Sequence, residues 1–390
     1  MRTGDQTLVK QINKSIVLTT VQQKSPISRA QISKDTGLNK ATVSSLVADL
    51  LEGRLVEEMG AGLSNGGRKP TMLFFNNKAG YAIGIDLGVN YVLGILTDLQ
   101  GAIVAKINEP LLSIDEGAVF NKVEEVIEDL MDQAPKSAYG IVGIGVGVPG
   151  LIDNEGTILF APNLEWKNVH LKQHLERRYE LPVFIENEAK AGSHGEKRYG
   201  AGQGVSNFIY VSIGIGVGAG IFINDQLYKG GSGISGEVGH FTIEPNGRKC
   251  RCGNKGCWEL YSSEGAMVEK TAHLFSGQEE VTIDCLIAKA KERNLEVLNA
   301  FDQVGEYIGI GLTNLINIFN PEKIIIGNRF AELEQWLRNP IERVFQQRLH
   351  EEFRDSFTLS FSENSIYSCA LGSAAFSIET FFSTSRVTVV

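Results

Sequence analysis

One histidine and three of the chain's five cysteines fall within HFTIEPNGRKCRCGNKGCWE, residues 240–259. The spacing His240-x9-Cys250-x-Cys252-x4-Cys257 supplies one nitrogen and three sulfur ligands. That is a closed tetrahedral set of the kind structural zinc prefers, with no position left for a catalytic water. Gly253 and Gly256 would let the backbone fold sharply enough for Cys252 and Cys257 to converge. The alternative reading is three buried free thiols beside a core histidine. With one ring nitrogen of His240 on zinc, the other is fixed as a donor able to face a hydroxyl. Glu237 and Glu259 would stand beside it, and a carboxylate can accept from two hydroxyls of a polyol. Cys285 and Cys369 read as small core residues.

A second chemical constellation lies near the N-terminus, in SPISRAQISKDTGLNKATVSSLVADLLEGRLVEE. Ser28 and Gln31 fit a capping box, with Ile27 and Ile32 at the staple positions. Gly37 suits the end of that helix and Asn39 the start of the next. Val43, Leu46, Val47 and Leu50 recur at i, i+3, i+4 and i+7, giving the second helix one buried face. Two short helices joined by a glycine turn make a helix-turn-helix whose second member is the recognition helix. Its outward N-terminal face carries Lys40, Ala41, Thr42, Ser44 and Ser45, suited to base edges and phosphates, with Ser28 and Arg29 at the start of the preceding helix. LVEE and TMLFFN read as strands enclosing a glycine-rich wing tipped by Arg68 and Lys69, placed to meet the DNA backbone or minor groove.

Both constellations need a frame to position them. The chain has 390 residues, 43% hydrophobic and 21% charged, long enough for two or three domains and typical of soluble globular proteins. Its net charge of −9 is uneven: residues 1–80 hold 11 Lys and Arg against 6 Asp and Glu, and the rest 26 against 40. A basic head on an acidic body predicts that only the head meets a polyanion. No signal peptide or membrane span is read, and sparse cysteines fit a reducing compartment, so a cytoplasmic protein is expected. From GYAIGIDLG onward, glycine-punctuated apolar strands take over. GIDLG…LGI and VSIGIG…GAGIFI repeat one strand–turn–strand pattern, which predicts two similar α/β halves around a cleft. VGEYIGIGLTNLINIFN is a helix apolar on more than one side, for packing within the body and toward a dimer interface.

With GEVGH…CRCGNKGCWE, PNLEW and ENEA, the whole chain resembles the ROK family of sugar kinases and sugar-responsive repressors, which have an actin-like ATPase fold. The resemblance implies a winged helix-turn-helix at 1–78, a first α/β lobe at 79–187, and a second at 188–390 whose C-terminal helix returns to the first lobe. It also implies a sugar-facing set of Asn163, Asn187, Glu188, Glu237, His240 and Glu259. The chain departs from the family's kinases where nucleotide is handled. Their catalytic aspartate is replaced by Glu188, and one extra methylene moves the carboxylate. Their Asp-x-Gly-Gly-Thr loop reads DLGVN, Asp86 to Asn90, with Val89 and Asn90 in place of glycine and threonine. Their Gly-Thr-Gly reads Gly214-Ile215-Gly216, and Asn328 replaces a glycine near the nucleoside. Lys190 stands where asparagine is common, without a reason in the sequence. The expectation is a non-enzymatic homodimeric repressor that binds a palindromic operator and is released by a monosaccharide, xylose above all. An active sugar kinase is the alternative.

Overall fold

The computed structural model describes residues 6–61, 71–275 and 281–385. The head begins with α1 (Gln6–Lys24), a helix the sequence reading did not assign, followed by β1 (Ile27–Ser28), α2 (Arg29–Thr36), α3 (Lys40–Glu52), β2 (Val56–Ala61) and β3 (Thr71–Phe75). Both helix starts are fixed by local chemistry. Ser28 Oγ accepts from the Gln31 N–H at 3.2 Å and Asn39 Oδ1 from the Thr42 N–H at 2.8 Å. Gly37 closes α2 with φ +71°. The capping box is only half made: the Gln31 side-chain amide donates to Asp35, and its oxygen does not accept from the Ser28 N–H. β2 and β3 pair antiparallel and β1 adds to β3. Arg68 and Lys69 lie outside the described residues.

The body contains one plan twice. Its first half runs β4 (Tyr81–Leu87), β5 (Tyr91–Asp98), β6 (Ile103–Pro110), α4 (Glu116–Asp132), β7 (Ile141–Val148), a small sheet of β8 (Leu151–Ile152), β9 (Ile158–Ala161) and β10 (Trp166–Val169), then α5 (Leu171–Tyr179) and β11 (Val183–Asn187). After α6 (Glu188–Tyr199), the second half runs β12 (Phe208–Ile213), β13 (Val217–Ile223), β14 (Gln226–Leu227), α7 (Glu259–Ser262), α8 (Glu264–Thr271), α9 (Ile283–Lys291), α10 (Leu295–Phe319), β15 (Lys323–Gly327), α11 (Glu334–Arg348), α12 (Glu351–Arg354), β16 (Thr358–Phe361) and α13 (Ser368–Ser385). The sheet orders β11-β7-β4-β5-β6 and β14-β13-β12-β15-β16 are equivalent: an antiparallel meander of three strands extended by two parallel ones. The predicted halves are therefore real. The central strands β4, β5, β7, β12 and β15 are buried on both faces because helices cover both sides, whereas the edge strand β6 is largely exposed.

α6 and α13 cross between the halves at backbone contact. A Cβ on Gly372 would run into the Ala191 carbonyl, and one on Gly195 into that of Ser368, so glycine is required at the crossing. α13 also packs on β4 and β7, and its far end reaches the head. Phe382 joins Leu73, Phe75 and Val47 in one core, and the Tyr139 hydroxyl donates to the Gly53 carbonyl at 2.7 Å. The helix expected over residues 304–320 forms the C-terminal part of α10, which ends at Phe319 with Asn320 as its cap. Its buried side packs on α8 and α11, leaving Ile318 63% exposed. No described helix is long and apolar enough to cross a membrane.

Candidate functional site

The chemistry-bearing residues gather beyond the carboxyl ends of β4, β7, β11 and β12, where open α/β sheets leave a crevice. The four metal-ligand candidates come together as the spacing predicts. The ligand atoms of His240, Cys250, Cys252 and Cys257 all lie within 4.8 Å of one another. Cys252 Sγ is 3.7 Å from Cys257 Sγ, and Cys250 Sγ is 3.7 Å from His240 Nδ1. A tetrahedral ion with bonds of about 2.3 Å has ligand–ligand edges of about 3.8 Å, so these residues could hold one metal ion. Gly253 and Gly256 both have positive φ, and a Cβ on Gly256 would strike the Glu244 carbonyl. Trp258 explains how the run ends. Its ring is fully buried against Gly311, and Nε1 donates to the Tyr307 carbonyl at 2.7 Å, anchoring the loop to α10.

His240 turns Nδ1 toward the sulfurs, so a metal there would leave Nε2 as the outward donor. Glu259 opens α7 with Oε1 3.0 Å from Cys250 Sγ and 3.5 Å from His240 Nδ1. Glu237, immediately before the turn that carries His240, is held above the ordinary carboxylate range by burial. Glu188 is pushed up to about 8, first by burial and then by the neighbouring Glu237. Burial therefore disfavours the charge of both Glu188 and Glu237. Asn163 joins them from the first half: its Oδ1 accepts from Arg251, within the metal loop, at 3.2 Å. Asn187 occupies a different role from the one expected. Its Oδ1 caps α6 through the Ala189 and Lys190 N–H groups, and its Nδ2 donates to the Gly150 carbonyl and to Glu188 Oε2. With both ends of the carboxamide committed, it aims Glu188.

The nucleotide-side departures fall into two separate groups, one at Asp86 and one at Asn328. Asp86 is buried, accepts from the Tyr91 hydroxyl at 2.9 Å and from the Cys369 thiol, and is raised by burial to about 6. The Tyr91 ring lies so close over Gly88 that a Cβ there would overlap it. Neither Tyr91 nor Cys369 carried a signal in the sequence; Cys369 reads as core and is buried, but it also bonds Asp86. Asn328, at φ +59°, donates from Nδ2 to Ser212 Oγ at 3.2 Å and lies against Gly214. Ile215 projects into solvent at 43% exposure. Cys285, at the start of α9, is partly buried at the edge of the second-half core, and Thr282 donates to its sulfur.

In the head, Lys40, Ala41, Ser44 and Ser45 are exposed and Thr42 half-buried, while Val43, Leu46, Val47 and Leu50 face inward. Ser28 is used as a cap, and Arg29 is paired with Glu58 of β2 at 2.5 Å.

Comparison with known proteins extends this geometry. The model described as "ROK family" matches residues 82–379. The chain is 45% identical over 381 residues to a protein of Bacillus spizizenii named "Xylose repressor", covering 98% of each. It is 28% identical to the Escherichia coli "DNA-binding transcriptional dual regulator NagC", over 92% of this chain and 91% of that one. A crystal structure of a ROK family transcriptional regulator, a homologue of E. coli MLC, superposes with a TM-score of 0.80 at 28% identity, over 97% of this chain and 98% of that one. A ROK glucokinase from Streptomyces griseus, solved with glucose and AMPPNP, superposes at 0.70 and 27% identity, over 76% of this chain and 98% of the kinase.

Proposed function

The chain belongs to the ROK family, and on that premise we propose that it is a sugar-responsive transcriptional repressor of xylose-utilisation genes. The observation that carries this reading is the match to a named xylose repressor across 98% of both chains, head included. The geometry supports it independently: a capped, outward-facing α3 on one side, and a cleft of carboxyl groups beside a metal-ligand quartet on the other.

In this reading residues 1–78 bind DNA, and 79–187 and 188–390 form the two lobes. Lys40, Ala41, Thr42, Ser44 and Ser45 of α3 meet the major groove, with Ser28 and Arg29 at its edge and Arg68 and Lys69 on the wing. Two copies form a homodimer in the cytoplasm and read a palindromic operator, because a two-fold dimer imposes its symmetry on the DNA. The quartet holds structural zinc, which supplies a rigid brace for the loop. His240 Nε2, Glu237, Glu259, Glu188 and Asn163 face the hydroxyls of xylose, and Asn187 acts through Glu188. Sugar binds the closed lobes better than the DNA-competent form and shifts the population toward closure. Linkage then requires operator DNA to weaken sugar binding by the same factor.

Phosphoryl transfer has little support. The carboxylate that would face metal and phosphate is buried beneath Tyr91 and bonded by Cys369, and Asn328 lies on the second glycine loop. The deciding experiment is fluorescence anisotropy on operator DNA from upstream of the protein's own gene, titrated with xylose at fixed salt. Release by xylose and not by arabinose is expected. Tight binding indifferent to every monosaccharide would refute the sensor, and robust ATP-dependent sugar turnover would restore the kinase.

A further inference from the structure

Lys190, the third residue of α6, is 1% exposed. A buried ammonium needs acceptors, yet among the described residues its hydrogen-bond partner is a single backbone oxygen, that of Gly233, at 2.5 Å. Burial disfavours its charge, and the carboxylates of Glu186 and Glu237 favour it from a greater distance.

Gly233 is the midpoint of the loop that leaves β14 and runs from Lys229 to Gly236, directly into Glu237 and the turn of His240. Its φ is +89°, and it lies against the Ile152 carbonyl of β8 and the Asn154 N–H of the following turn, where a Cβ would come within 3.0 and 3.2 Å. At the start of the loop, Lys229 Nζ pairs with Glu186 Oε2 on β11 at 2.6 Å. A strap rooted in the second lobe is therefore fastened to the first lobe at Glu186 and to the helix between them at Lys190, and it lies against Ile152 and Asn154. Ser235 closes it internally, its Oγ donating to the Tyr228 carbonyl at 2.6 Å.

We propose that Lys190 is a positioning residue of the effector site: it clasps the strap of residues 229–236 across the cleft and so sets where Glu237 meets the sugar. The proposal rests on the reading of the cleft as a monosaccharide site. A neutral asparagine at position 190 is too short to reach the Gly233 carbonyl, so the clasp belongs to chains with a long cationic side chain there. Lys229 serves as the outer, solvent-facing tether.

The test uses the full-length chain and the variants Lys190→Met and Lys229→Met. Methionine keeps the buried stem and removes the donor. Three quantities are measured: hydrogen exchange of strap amides without sugar, the xylose Kd by calorimetry, and operator affinity without sugar. Lys190→Met should loosen the strap and raise the xylose Kd about 10- to 100-fold, the scale expected for a contact displaced by about an ångström. Operator affinity, metal content and melting midpoint should stay close to wild type, a split that a merely structural lysine would not produce. Lys229→Met, which alters only a half-exposed side chain, should give a smaller change of the same sign, and it decides the matter if Lys190→Met does not fold. A xylose Kd within about twofold of wild type in both variants overturns the clasp. A wild type that binds none of xylose, arabinose, glucose or N-acetylglucosamine, while its strap still loosens in Lys190→Met, overturns the effector reading and leaves Lys190 structural.

Discussion

Raising the pH from 5 to 8.5 should weaken the wild-type fold more than it weakens Glu188→Gln. In the unfolded chain Glu188 ionises near 4.5; in the fold it keeps its proton to about 8, because burial and the adjacent Glu237 disfavour its charge. Between those values the folded state binds one more proton than the unfolded one. The stability this contributes is complete below the unfolded value and is lost as pH rises through the folded one. At about 1.4 kcal/mol per unit, the full shift corresponds to an upper bound of about 5 kcal/mol. Solvent reaches the half-buried side chain, so about 2–3 kcal/mol is expected. Asp86, raised to about 6, and Glu237 contribute with the same sign in both proteins, so the difference between variants isolates Glu188. Glutamine retains an acceptor for the Asn187 amide, which keeps the cap on α6 intact. Urea denaturation at four pH values between 5 and 8.5 measures the difference. The variant should gain on the wild type steadily from pH 5 to 8 and no further above it. Parallel curves would refute the cause assigned to Glu188.

Three other outcomes follow. Metal analysis should find about one zinc per chain, and Cys252→Ser should lose it and open Arg248, Lys249, Arg251 and Lys255 to trypsin. Asn39→Ala should cost the head about 1 kcal/mol, since it removes the acceptor for the Thr42 N–H, and lower operator affinity about fivefold in anisotropy. Tyr139→Phe keeps the ring on Phe381 but removes the bond to Gly53, about 1 kcal/mol, and should shrink the xylose-induced change in operator Kd; an unchanged ratio would exclude this contact from the coupling.

Much of this protein is decided within a few residues of chain, and that part is legible in the sequence. Caps at Ser28 and Asn39, the turn at Gly37 and the inward stripe of α3 depend on neighbours one to four positions away, so residue type and spacing suffice. The metal quartet is almost as local, since 18 positions hold all four ligands and two glycines bend the loop between them. The doubled strand pattern reports the two halves because burial on both faces forces long apolar runs. Function at the cleft is decided otherwise. Asn187 reads as a ligand and serves as a cap, a matter of which groups are already satisfied. Tyr91 covers Gly88 because β4 and β5 pair antiparallel. Lys190 meets Gly233 across 43 positions, and Phe382 meets Phe75 from the other end of the chain. Such contacts form only when sheets and helices pack, and a buried charge or hydroxyl takes its role from whatever partner the packing leaves within reach.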